Sequence, residues 1–288
     1  AVPEMPEVEA LRRWLEPRLA GTSFERVELV SLSALKTVAL APTALLGLEI
    51  TRVERRGKFL AMGQDGAWLV FHLARAGWLR WYETVPASAA RPGKSPLALR
   101  VGVDSGAGFD LTEAGTRKRL AVYVVAALTD VPGISDLGPD PLADGFGRPE
   151  LDAILDAAGR SQLKGVLRDQ KVLAGIGNAY SDEMLHAAKL SPFKPANALA
   201  DAERDTLLGS IQGLLRSAID RADGLKPSEL KDGKRSNMAV HGRTGLPCPV
   251  CGTTVAEVSF ADSSLQYCPG CQTGGKPLAD RRLSRLLK

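Results

Sequence analysis

The sequence has little of what marks membrane, secreted or repetitive proteins. Its 288 residues include four cysteines, three histidines and 5% aromatic residues. No apolar run approaches the roughly 18 residues that a membrane span needs, no signal-peptide pattern stands ahead of the first helix, and no internal repeat is found. With 44% hydrophobic and 24% charged residues, the composition is that of an ordinary globular protein. We therefore expect a cytoplasmic chain of about two domains.

The cysteines are too few and too clustered for a disulfide framework. They form two C-x₂-C pairs, Cys248 with Cys251 and Cys268 with Cys271, with sixteen residues between the pairs. Each pair turns tightly enough for both sulfurs to face one ion, which favours a tetrahedral four-thiolate zinc site with a strand hairpin between the pairs. Four protein ligands leave no open position, so we expect one structural zinc per chain. Such ribbons commonly hold nucleic acid, although the same spacing also occurs in purely structural modules.

The excess positive charge is concentrated at the C-terminus. The formal net charge of the chain is +4 and its pI is about 8.9. Residues 276–288 alone carry a net charge of +4, so the rest of the chain is formally neutral. A basic segment of this kind indicates a polyanionic partner.

Hydrophobic periodicity divides the chain into a first helix, a strand-rich part and a helical part. Residues 6–20 place apolar side chains at helical spacing, with Glu7 and Glu9 in the first turn and Gly21 at the end. Short alternating runs between about 24 and 128 predict six or more strands in a β-sandwich or barrel. The predicted strands are 24–30, 48–53, 59–62, 67–73, 98–103 and 120–125. The predicted helices that follow are 148–157, 160–168, 179–189 and 201–222.

This pattern predicts an α+β multidomain protein. The segment 223–239 is polar and contains glycine, and it is either a disordered linker or a loop that orders on a ligand. The predicted divisions are 1–132 (first helix and β-sandwich), 133–222 (helical domain), 223–239 (linker or recognition loop), 240–275 (zinc ribbon) and 276–288 (basic tail).

Four residues near predicted strands or helices are candidates for chemistry. Pro3 and Glu4 stand directly ahead of the first helix, and a proline with a free amine would be a secondary-amine nucleophile beside a proton donor. Lys58 begins a predicted strand, where it is either a solvated edge charge or partly enclosed. His72 interrupts an apolar strand, a position more typical of a hydrogen-bonded core histidine than of a catalyst.

Two glycines, Gly175 and Gly177, lead into a predicted helix. The first residues of a helix leave backbone N–H groups free to approach a phosphate. The same glycine pair also fits an ordinary corner between two helices. Asn178, at the start of the helix, is a candidate N-cap.

Taken together and in this order, these segments resemble the Fpg/Nei family of bifunctional DNA glycosylases. The family's Pro-Glu-Leu-Pro-Glu-Val-Glu opening, Arg-Gly-Lys-Tyr-Leu strand and His-Leu-Gly-Met-Ser-Gly turn are similar to residues 3–9, 56–60 and 72–77. Its Leu-Gly-Pro-Glu-Pro-Leu boundary, Gly-Val-Gly-Asn-Ile-Tyr turn and Val-x-Gly-Arg-x-Gly-x-Pro-Cys segment are similar to residues 137–142, 175–180 and 240–248. The resemblance implies an N-terminal helix with a β-sandwich, a helical domain with a helix–two-turn–helix motif, and a C-terminal zinc ribbon, with DNA in the cleft between the halves.

The resemblance also implies an activity, namely removal of an oxidised base from double-stranded DNA followed by strand cleavage. The amine of Pro3 would attack the sugar carbon that bears the base, and Glu4 would protonate the ring oxygen. Lys58, the third expected catalytic residue, would sit over the phosphate of the lesion and either help to position it or shuttle a proton. An α-amino group with a pKa of about 8 is partly unprotonated at neutral pH. The damaged base must leave the helix, so further residues would contact the kinked DNA. These expected contacts are His72, Arg75, Lys118, Arg119, Asn178, Arg243 and Gln266. The family further implies a monomer that binds no membrane and, in a bacterium, associates with the nucleoid.

The start of the chain departs from the family pattern. With Ala1 and Val2 in place, Pro3 is an amide and has no nucleophilic nitrogen. Three outcomes are open: the native chain starts at Pro3, or Met5 is the start and the next Pro-Glu pair is terminal, or Ala1 is native and its primary amine or another nucleophile takes over. The register that begins at Pro3 fits the family opening better.

Two further departures concern DNA contacts. Arg75 stands where the family has an apolar methionine wedge, although an arginine can stack on a base and pair with a phosphate. Other wedge positions are expected within 116–120, with Leu120 in place of an aromatic residue. Ser263 replaces the family's phosphate-binding arginine, and Gln266 or the basic tail are the expected substitutes.

Two other functions stay open on the sequence. One is a glycosylase of altered chemistry that uses a primary amine or Lys58 on another class of lesion. The other is a DNA-binding protein that recognises kinked or abasic DNA without cutting it. The lesion itself is not readable, because base selection in this family rests on a flexible loop, here expected within 223–239.

Overall fold

The structure, a computed structural model, describes residues 2–91 and 96–279. The chain divides into two compact units: one contains the chain through Leu137 together with Ile219–Gly233, and the other contains Gly138–Ala218 together with the chain from Lys234 onward. Ala1 and the tail residues 280–288, whose predicted roles are a terminal amine and phosphate contacts, lie outside the described residues. Within the described ranges, no helix has both the length and the hydropathy that crossing a membrane requires.

The first helix, α1 (Met5–Leu19), directly follows the N-terminal proline and glutamate. Glu4 is its N-cap residue, and the Glu7 carboxylate accepts a hydrogen bond from the Glu4 N–H at 2.8 Å. This bond satisfies a backbone donor that has no partner within the helix. The predicted apolar stripe is at most 1% exposed and comprises Val8, Leu11, Leu15 and Leu19. Because the stripe belongs to the core of the β-sheets, packing holds the start of α1 in place.

Two four-stranded antiparallel sheets make up most of the first unit, which confirms the predicted β-sandwich. The strands are β1 (Phe24–Leu29), β2 (Arg52–Arg56), β3 (Phe59–Gln64), β4 (Ala67–His72), β5 (Gly77–Tyr82), β6 (Leu97–Val103), β7 (Gly108–Glu113) and β8 (Ala121–Val125). One sheet has the order β1-β6-β7-β5, and the other has the order β2-β3-β4-β8. The core lies between the two sheets and α1.

Strands β5 and β7 have no counterpart among the sequence predictions, because charged residues break their apolar alternation. In β7, Asp110 is only 4% exposed. It faces Arg100 on β6 in the strand register, and the guanidinium makes two hydrogen bonds to the carboxylate at 2.8 and 2.9 Å. A paired buried charge of this kind lets a strand form where its own sequence reads as polar.

The helical part follows the sequence prediction closely. Its helices are α2 (Pro132–Ser135), α3 (Arg148–Ala158), α4 (Leu163–Arg168), α5 (Asn178–Ala187), α6 (Asp201–Ala222) and α7 (Leu230–Ser236). Helices α4 and α5, joined by the turns of residues 169–177, form the predicted helix–two-turn–helix motif. The last turn of α6 and the start of α7 belong to the first unit.

The segment 223–239 is not the disordered linker that its composition allows. It contains α7, whose Leu230 is 2% exposed in the core of the first unit. The indole N–H of Trp78 donates to the carbonyl of Pro227 at 2.8 Å. The buried apolar contact and the hydrogen-bonded backbone carbonyl order the segment. The sequence does not indicate this order, because most residues of the segment are polar. A role in base recognition stays a prediction.

The C-terminal ribbon forms a hairpin between the two cysteine pairs, as predicted. It consists of β9 (Ala256–Ser259) and β10 (Ser264–Tyr267), which pair antiparallel, followed by the short helix α8 (Pro269–Gln272). Tyr267 is 1% exposed, and its hydroxyl accepts a hydrogen bond from the Leu278 N–H at 2.7 Å.

Replacing Gly77 by alanine should destabilise the sandwich. A Cβ at this position would lie 2.2 Å from the Leu73 carbonyl oxygen and 2.8 Å from Leu120 Cδ1, so the backbone must shift. Overpacking of this kind costs about 1–3 kcal/mol of unfolding free energy. The measurement is chemical denaturation of Gly77→Ala against wild type. Gly209→Ala is the matched control, because Gly209 lies in α6 with no atom within 4 Å of the added carbon. The control should gain about 0.5–1 kcal/mol, and a Gly77→Ala protein as stable as wild type contradicts the packing argument.

Candidate functional site

The residues predicted for catalysis begin at the buried start of α1. Pro3 is buried and Glu4 is 1% exposed, whereas Val2 is 42% exposed. One turn into the helix, the Glu9 carboxylate accepts a hydrogen bond from Arg55 Nε, at the end of β2, at 3.0 Å. This ion pair ties the start of α1 to the turn that follows β2.

The turn after β2 carries Lys58. Strands β2 and β3 are joined by two residues, Gly57 and Lys58, and the pair Arg56 and Phe59 closes the hairpin. Gly57 has φ 56°, in the region that favours glycine, at the first central position of the turn. Arg55 also donates to the Gly57 carbonyl at 3.2 Å, so one guanidinium holds both α1 and this turn.

Two arginines control the charge of Glu9. Burial alone would raise the pKa of Glu9, but hydrogen bonds and attraction from Arg12 and Arg55 outweigh burial and lower it. The carboxylate therefore stays charged, and it remains a partner for Arg55 across the physiological pH range.

His72 lies beside Lys58, because it is paired with Phe59 across β3 and β4. Its Nδ1 accepts the Ala74 N–H at 3.0 Å, so the neutral ring carries its proton on Nε2. Burial and the positive charge of Lys58 lower the pKa of His72 to about 4. The ring is therefore neutral at pH 7 and presents an N–H donor. The strand register places His72 beside the turn of Lys58, and the Glu9–Arg55 ion pair ties α1, which directly follows Pro3 and Glu4, to the same turn.

Arg75, residues 114–117 and Arg119 line a common pocket of about 290 Å³ in the first unit. Arg75 and Arg119 are exposed there. The buried Glu113 carboxylate accepts the N–H groups of Arg119 at 2.6 Å and Leu120 at 2.8 Å, and Lys118 Nζ donates to the Glu113 carbonyl. One glutamate therefore shapes the loop that carries the predicted DNA contacts Lys118 and Arg119.

The prediction that Leu120 acts as a wedge is wrong. Leu120 is 1% exposed and belongs to the core of the sandwich. Its backbone N–H is bound by Glu113, and it directly precedes β8. The side chain therefore points into the protein and leaves the arginines around the pocket as the surface groups.

In the second unit, Asn178 lies at the start of α5 but is not its N-cap. The N-cap residue is Gly177, and Asn178 is the first helical residue. Asn178 Nδ2 donates to the Ser264 carbonyl of the ribbon at 2.8 Å, while its buried Oδ1 has no hydrogen-bond partner within residues 2–91 and 96–279. The N–H of Gly175 donates to Gln170 Oε1 at 2.9 Å, so it is already engaged within the turn.

Gln266 is 5% exposed, and its side chain is bound within the ribbon. Its Nε2 donates to Glu257 at 2.8 Å and to Ser264 Oγ at 3.0 Å, and its Oε1 accepts the Gly242 N–H at 3.1 Å. Arg243 is half-buried and donates to a backbone carbonyl four residues further on at 3.3 Å. DNA contact by these two residues stays a prediction.

The four cysteine sulfurs meet in one cluster at the end of the ribbon. The sulfurs of Cys248 and Cys271 are 3.9 Å apart, and those of Cys251 and Cys268 are 3.3 Å apart. A tetrahedral zinc with bonds of about 2.3 Å holds its sulfurs about 3.8 Å apart. The residues present thus fit one structural zinc. His186 Nε2 also lies close, 3.3 Å from Cys248 Sγ.

A buried charged cluster on α5 has no counterpart among the sequence predictions. Lys164 is 4% exposed, and its Nζ donates to Asp182 Oδ1 at 2.5 Å, to Ser181 Oγ at 2.8 Å and to the Asn178 carbonyl at 2.6 Å. The other Asp182 oxygen accepts the Gln266 N–H at 3.2 Å and lies 2.8 Å from Nδ1 of a histidine in the ribbon.

Glu183, the next residue on α5, accepts hydrogen bonds from three backbone N–H groups. Its carboxylate accepts the N–H groups of Ala239 at 2.7 Å, Val240 at 2.9 Å and His241 at 2.8 Å. In a sequence, an adjacent Asp-Glu pair on a helix usually indicates a face exposed to water. What could have indicated burial here is that apolar residues stand on both sides of the pair in the helix.

Matches to family models appear in the order of the folded parts. A model described as the formamidopyrimidine-DNA glycosylase N-terminal domain matches residues 2–122. The formamidopyrimidine-DNA glycosylase H2TH domain matches residues 137–228, and a zinc finger found in FPG and IleRS matches residues 245–274. The β-sandwich, the helix–two-turn–helix and the cysteine ribbon of this chain thus correspond, in order, to the three parts of a DNA glycosylase of the formamidopyrimidine type.

Individual relatives agree with the family models. The formamidopyrimidine-DNA glycosylase of Thermus thermophilus is 34% identical over 284 residues, covering 95% of this chain and 100% of the relative. An uncharacterized formamidopyrimidine-DNA glycosylase-like protein of Mycobacterium tuberculosis is 56% identical over 152 residues, covering 53% of this chain and 94% of the relative. The chain belongs to the formamidopyrimidine-DNA glycosylase family, which confirms the resemblance seen in the sequence.

Solved structures agree as well. The crystal structure of the Thermus thermophilus MutM (Fpg) protein is 30% identical with a TM-score of 0.79, over 96% of this chain and 100% of that one. MutM in complex with DNA containing carbocyclic 8-oxo-G is 27% identical with a TM-score of 0.81, over 94% of this chain and 100% of that one. The Lactococcus lactis Fpg with DNA containing an abasic site is 27% identical with a TM-score of 0.80, over 94% of this chain and 99% of that one.

The low pKa of His72 should give stability a pH dependence. The unfolded chain binds more protons than the folded one between the His72 pKa of about 4 and its ordinary value of 6.5. Stability contributed by neutral His72 is therefore present above pH 6.5 and is lost as the pH falls towards 4. In His72→Asn, the side-chain oxygen can still accept the Ala74 N–H but cannot take up a proton. We expect wild type to lose more unfolding free energy than His72→Asn over this interval, measured by denaturation at a series of pH values. Equal losses contradict the low pKa.

Replacing Lys164 by methionine should destabilise the second unit strongly. The change leaves Asp182 buried without its cation, and such a loss costs about 3–5 kcal/mol. Lys194→Met is the matched control, because Lys194 pairs with Glu203 at 2.6 Å with side-chain exposures of 29% and 33%. A pair this open to water contributes about 1 kcal/mol or less. Chemical denaturation of both variants measures the difference in unfolding free energy. Similar losses of unfolding free energy in the two variants would show that the buried Lys164–Asp182 pair stabilises the protein no more than the more exposed pair does.

Proposed function

We propose that this chain is a DNA glycosylase of base excision repair with abasic-site lyase activity, acting as a monomer on duplex DNA that contains an oxidised base. The observation that carries the proposal is the tie between α1, which directly follows Pro3 and Glu4, and the turn of Lys58, beside which His72 lies. The relatives support it, since they are named formamidopyrimidine-DNA glycosylases. Solved neighbours hold DNA with an 8-oxo-G analogue or an abasic site.

Pro3 is the proposed nucleophile. In a chain whose first residue is Pro3, the secondary amine attacks the sugar C1′, and the bond from C1′ to the damaged base breaks with its electron pair. The base leaves with a proton, and the C1′–O4′ bond then opens to give an iminium ion. Loss of a C2′ proton and cleavage of the C3′–O3′ bond cut the strand. The α-amino group suits the first step because part of it is unprotonated at neutral pH.

Glu4 is the proposed acid for ring opening. Its carboxyl group lies next to the nucleophile in the chain, and it is 1% exposed. Its backbone is held by Glu7 and by the packing of α1. A fixed, buried proton donor can protonate O4′ as the C1′–O4′ bond breaks.

Lys58 and His72 are proposed to bind the phosphate of the lesion. Lys58 supplies a positive charge at a tight turn, and neutral His72 offers an Nε2–H donor at neutral pH. Together they would orient the sugar without taking part in bond breaking.

Arg75, Lys118 and Arg119 are proposed to contact the DNA around the flipped base. Arg75 and Arg119 line the same pocket, and the loop of residues 114–119 is held by Glu113. Guanidinium groups can stack on bases and bind phosphates. In the second unit, Asn178, Arg243 and the ribbon would bind backbone phosphates. A basic tail fits the same polyanionic partner.

Borohydride trapping on abasic duplex DNA tests the chemistry. The matched pair consists of the chain that starts at Pro3 and the chain that keeps Ala1 and Val2, each first verified by mass spectrometry. Reduction of the iminium should yield a covalent adduct with the first protein and far less with the second, because an amide nitrogen is not nucleophilic. Lys58→Ala, made in the Pro3-first chain, should still yield the adduct, formed more slowly.

Peptide mapping of the adduct separates the alternatives. Attachment at Pro3 supports the proposal, whereas attachment at Ala1 or Lys58 would establish a glycosylase of altered chemistry. No adduct from either protein, together with tight binding that weakens with salt, would identify a protein that recognises damaged DNA without cutting it. Release of an oxidised base from a second duplex tests the substrate class separately.

A further inference from the structure

His186 lies where the helix–two-turn–helix motif meets the zinc site. It is on α5, is 5% exposed, and its Nε2 is 3.3 Å from Cys248 Sγ. Nothing in the cysteine spacing points to it, since it is 62 residues from Cys248 in the chain. A histidine this close to a metal thiolate either binds the metal or donates a hydrogen bond to the sulfur.

Distances between donor atoms leave both roles open. The ligand atoms of His186, Cys248, Cys268 and Cys271 all lie within 4.8 Å of one another. Cys251, which is exposed, would then be the displaced ligand. Its sulfur nevertheless lies 3.3 Å from that of Cys268, which is close enough to share an ion.

The sulfur positions favour four cysteine ligands, because the second cysteine of each pair lies beside the first cysteine of the other pair. Cys251 Sγ is 3.3 Å from Cys268 Sγ, and Cys271 Sγ is 3.9 Å from Cys248 Sγ. Both turns are also closed by a backbone N–H four residues on, which donates to the carbonyl of the first cysteine at 2.9 Å. Each pair therefore brings both of its sulfurs to the common centre.

We propose that the four cysteines hold the zinc and that His186 donates its Nε2–H to the Cys248 thiolate. Four thiolates around one zinc leave a net charge of −2, and Cys248 and Cys268 are buried at 3% and 0% exposure. A hydrogen-bond donor next to a buried thiolate withdraws part of that charge and makes the sulfur harder to protonate and release. His186 is thus a positioning residue that couples α5 to the metal site.

The coupling has a structural consequence within the second unit. Asn178 begins the same helix, and its side chain already donates to the ribbon at Ser264. The hydrogen bond from His186 would hold the other end of α5 to the ribbon. The helix start and the zinc site would then move as one body.

The experiment uses the full chain loaded with zinc or with cobalt(II), in wild type, His186→Phe and His186→Gln. Phenylalanine fills the site without a donor, while the glutamine side-chain amide can donate to sulfur. We expect His186→Phe to transfer zinc to a chromogenic chelator about tenfold faster than wild type, and His186→Gln to restore most of the difference. Lys194→Met, which removes a charge of the same unit that pairs with Glu203 and not with a sulfur, should transfer zinc at the wild-type rate.

Cobalt spectra distinguish a hydrogen bond to sulfur from a purely structural role of His186, because a purely structural role would leave the energies of the cobalt bands unchanged. The d–d bands should indicate four sulfur ligands in all three proteins. The sulfur-to-cobalt charge-transfer band should move to lower energy in His186→Phe and return in His186→Gln. Wild-type d–d bands of a three-sulfur, one-nitrogen site that survive in Cys251→Ser would overturn the proposal in favour of His186 as a ligand. Wild-type zinc transfer in His186→Phe, or failure of glutamine to restore it, would also overturn it.

Discussion

The buried carboxylates of Asp182 and Glu183 hold the second unit together. They lie side by side on α5, and at 1% and 6% exposure neither can be solvated by bulk water. Asp182 has partners on α4 and β10 and Glu183 has partners at 239–241, so the two carboxylates are both satisfied only when all three segments are in place. A charge taken out of water and left without partners costs several kcal/mol. The helix–two-turn–helix and the ribbon are therefore best regarded as one structural body with a charged seam.

In the first unit, a half-buried ion pair lies close to the residues that are proposed to carry the chemistry. Glu9 and Arg55 pair at the point where α1 meets the turn of Lys58. The stripe of α1 supplies the burial, and the ion pair sets the position of the helix relative to the strands. The proposed chemistry needs little more than this, because a proline amine, a nearby acid and a phosphate-binding cation are held by a rigid scaffold.

Local pattern was enough wherever a segment's own side chains dictate its structure. Apolar spacing predicted α1 and six strands, and C-x₂-C spacing predicted the ribbon and its hairpin. Prediction failed where a distant partner changes the meaning of a residue. Asp110 reads as a turn residue until Arg100 pairs with it, and Leu120 reads as a surface wedge until the sandwich core encloses it. Three groups of the ribbon bind the Gln266 side chain, which its sequence context does not indicate, and its contact with DNA stays a prediction.

The amino-acid order alone was sufficient to identify the family, the α+β plan and a structural zinc site in the cysteine ribbon. These features rest on short-range chemistry: the period of a helix or strand, the tight turn of a cysteine pair and the order of motifs along the chain. The environment of each charged group was settled by folding. Whether Asp182 faces water or Lys164, and whether His186 faces solvent or a cysteine sulfur, depends on residues far away in the chain. Once buried, those polar side chains must form hydrogen bonds or ion pairs with other parts of the unit, and only the folded unit determines which residues are buried.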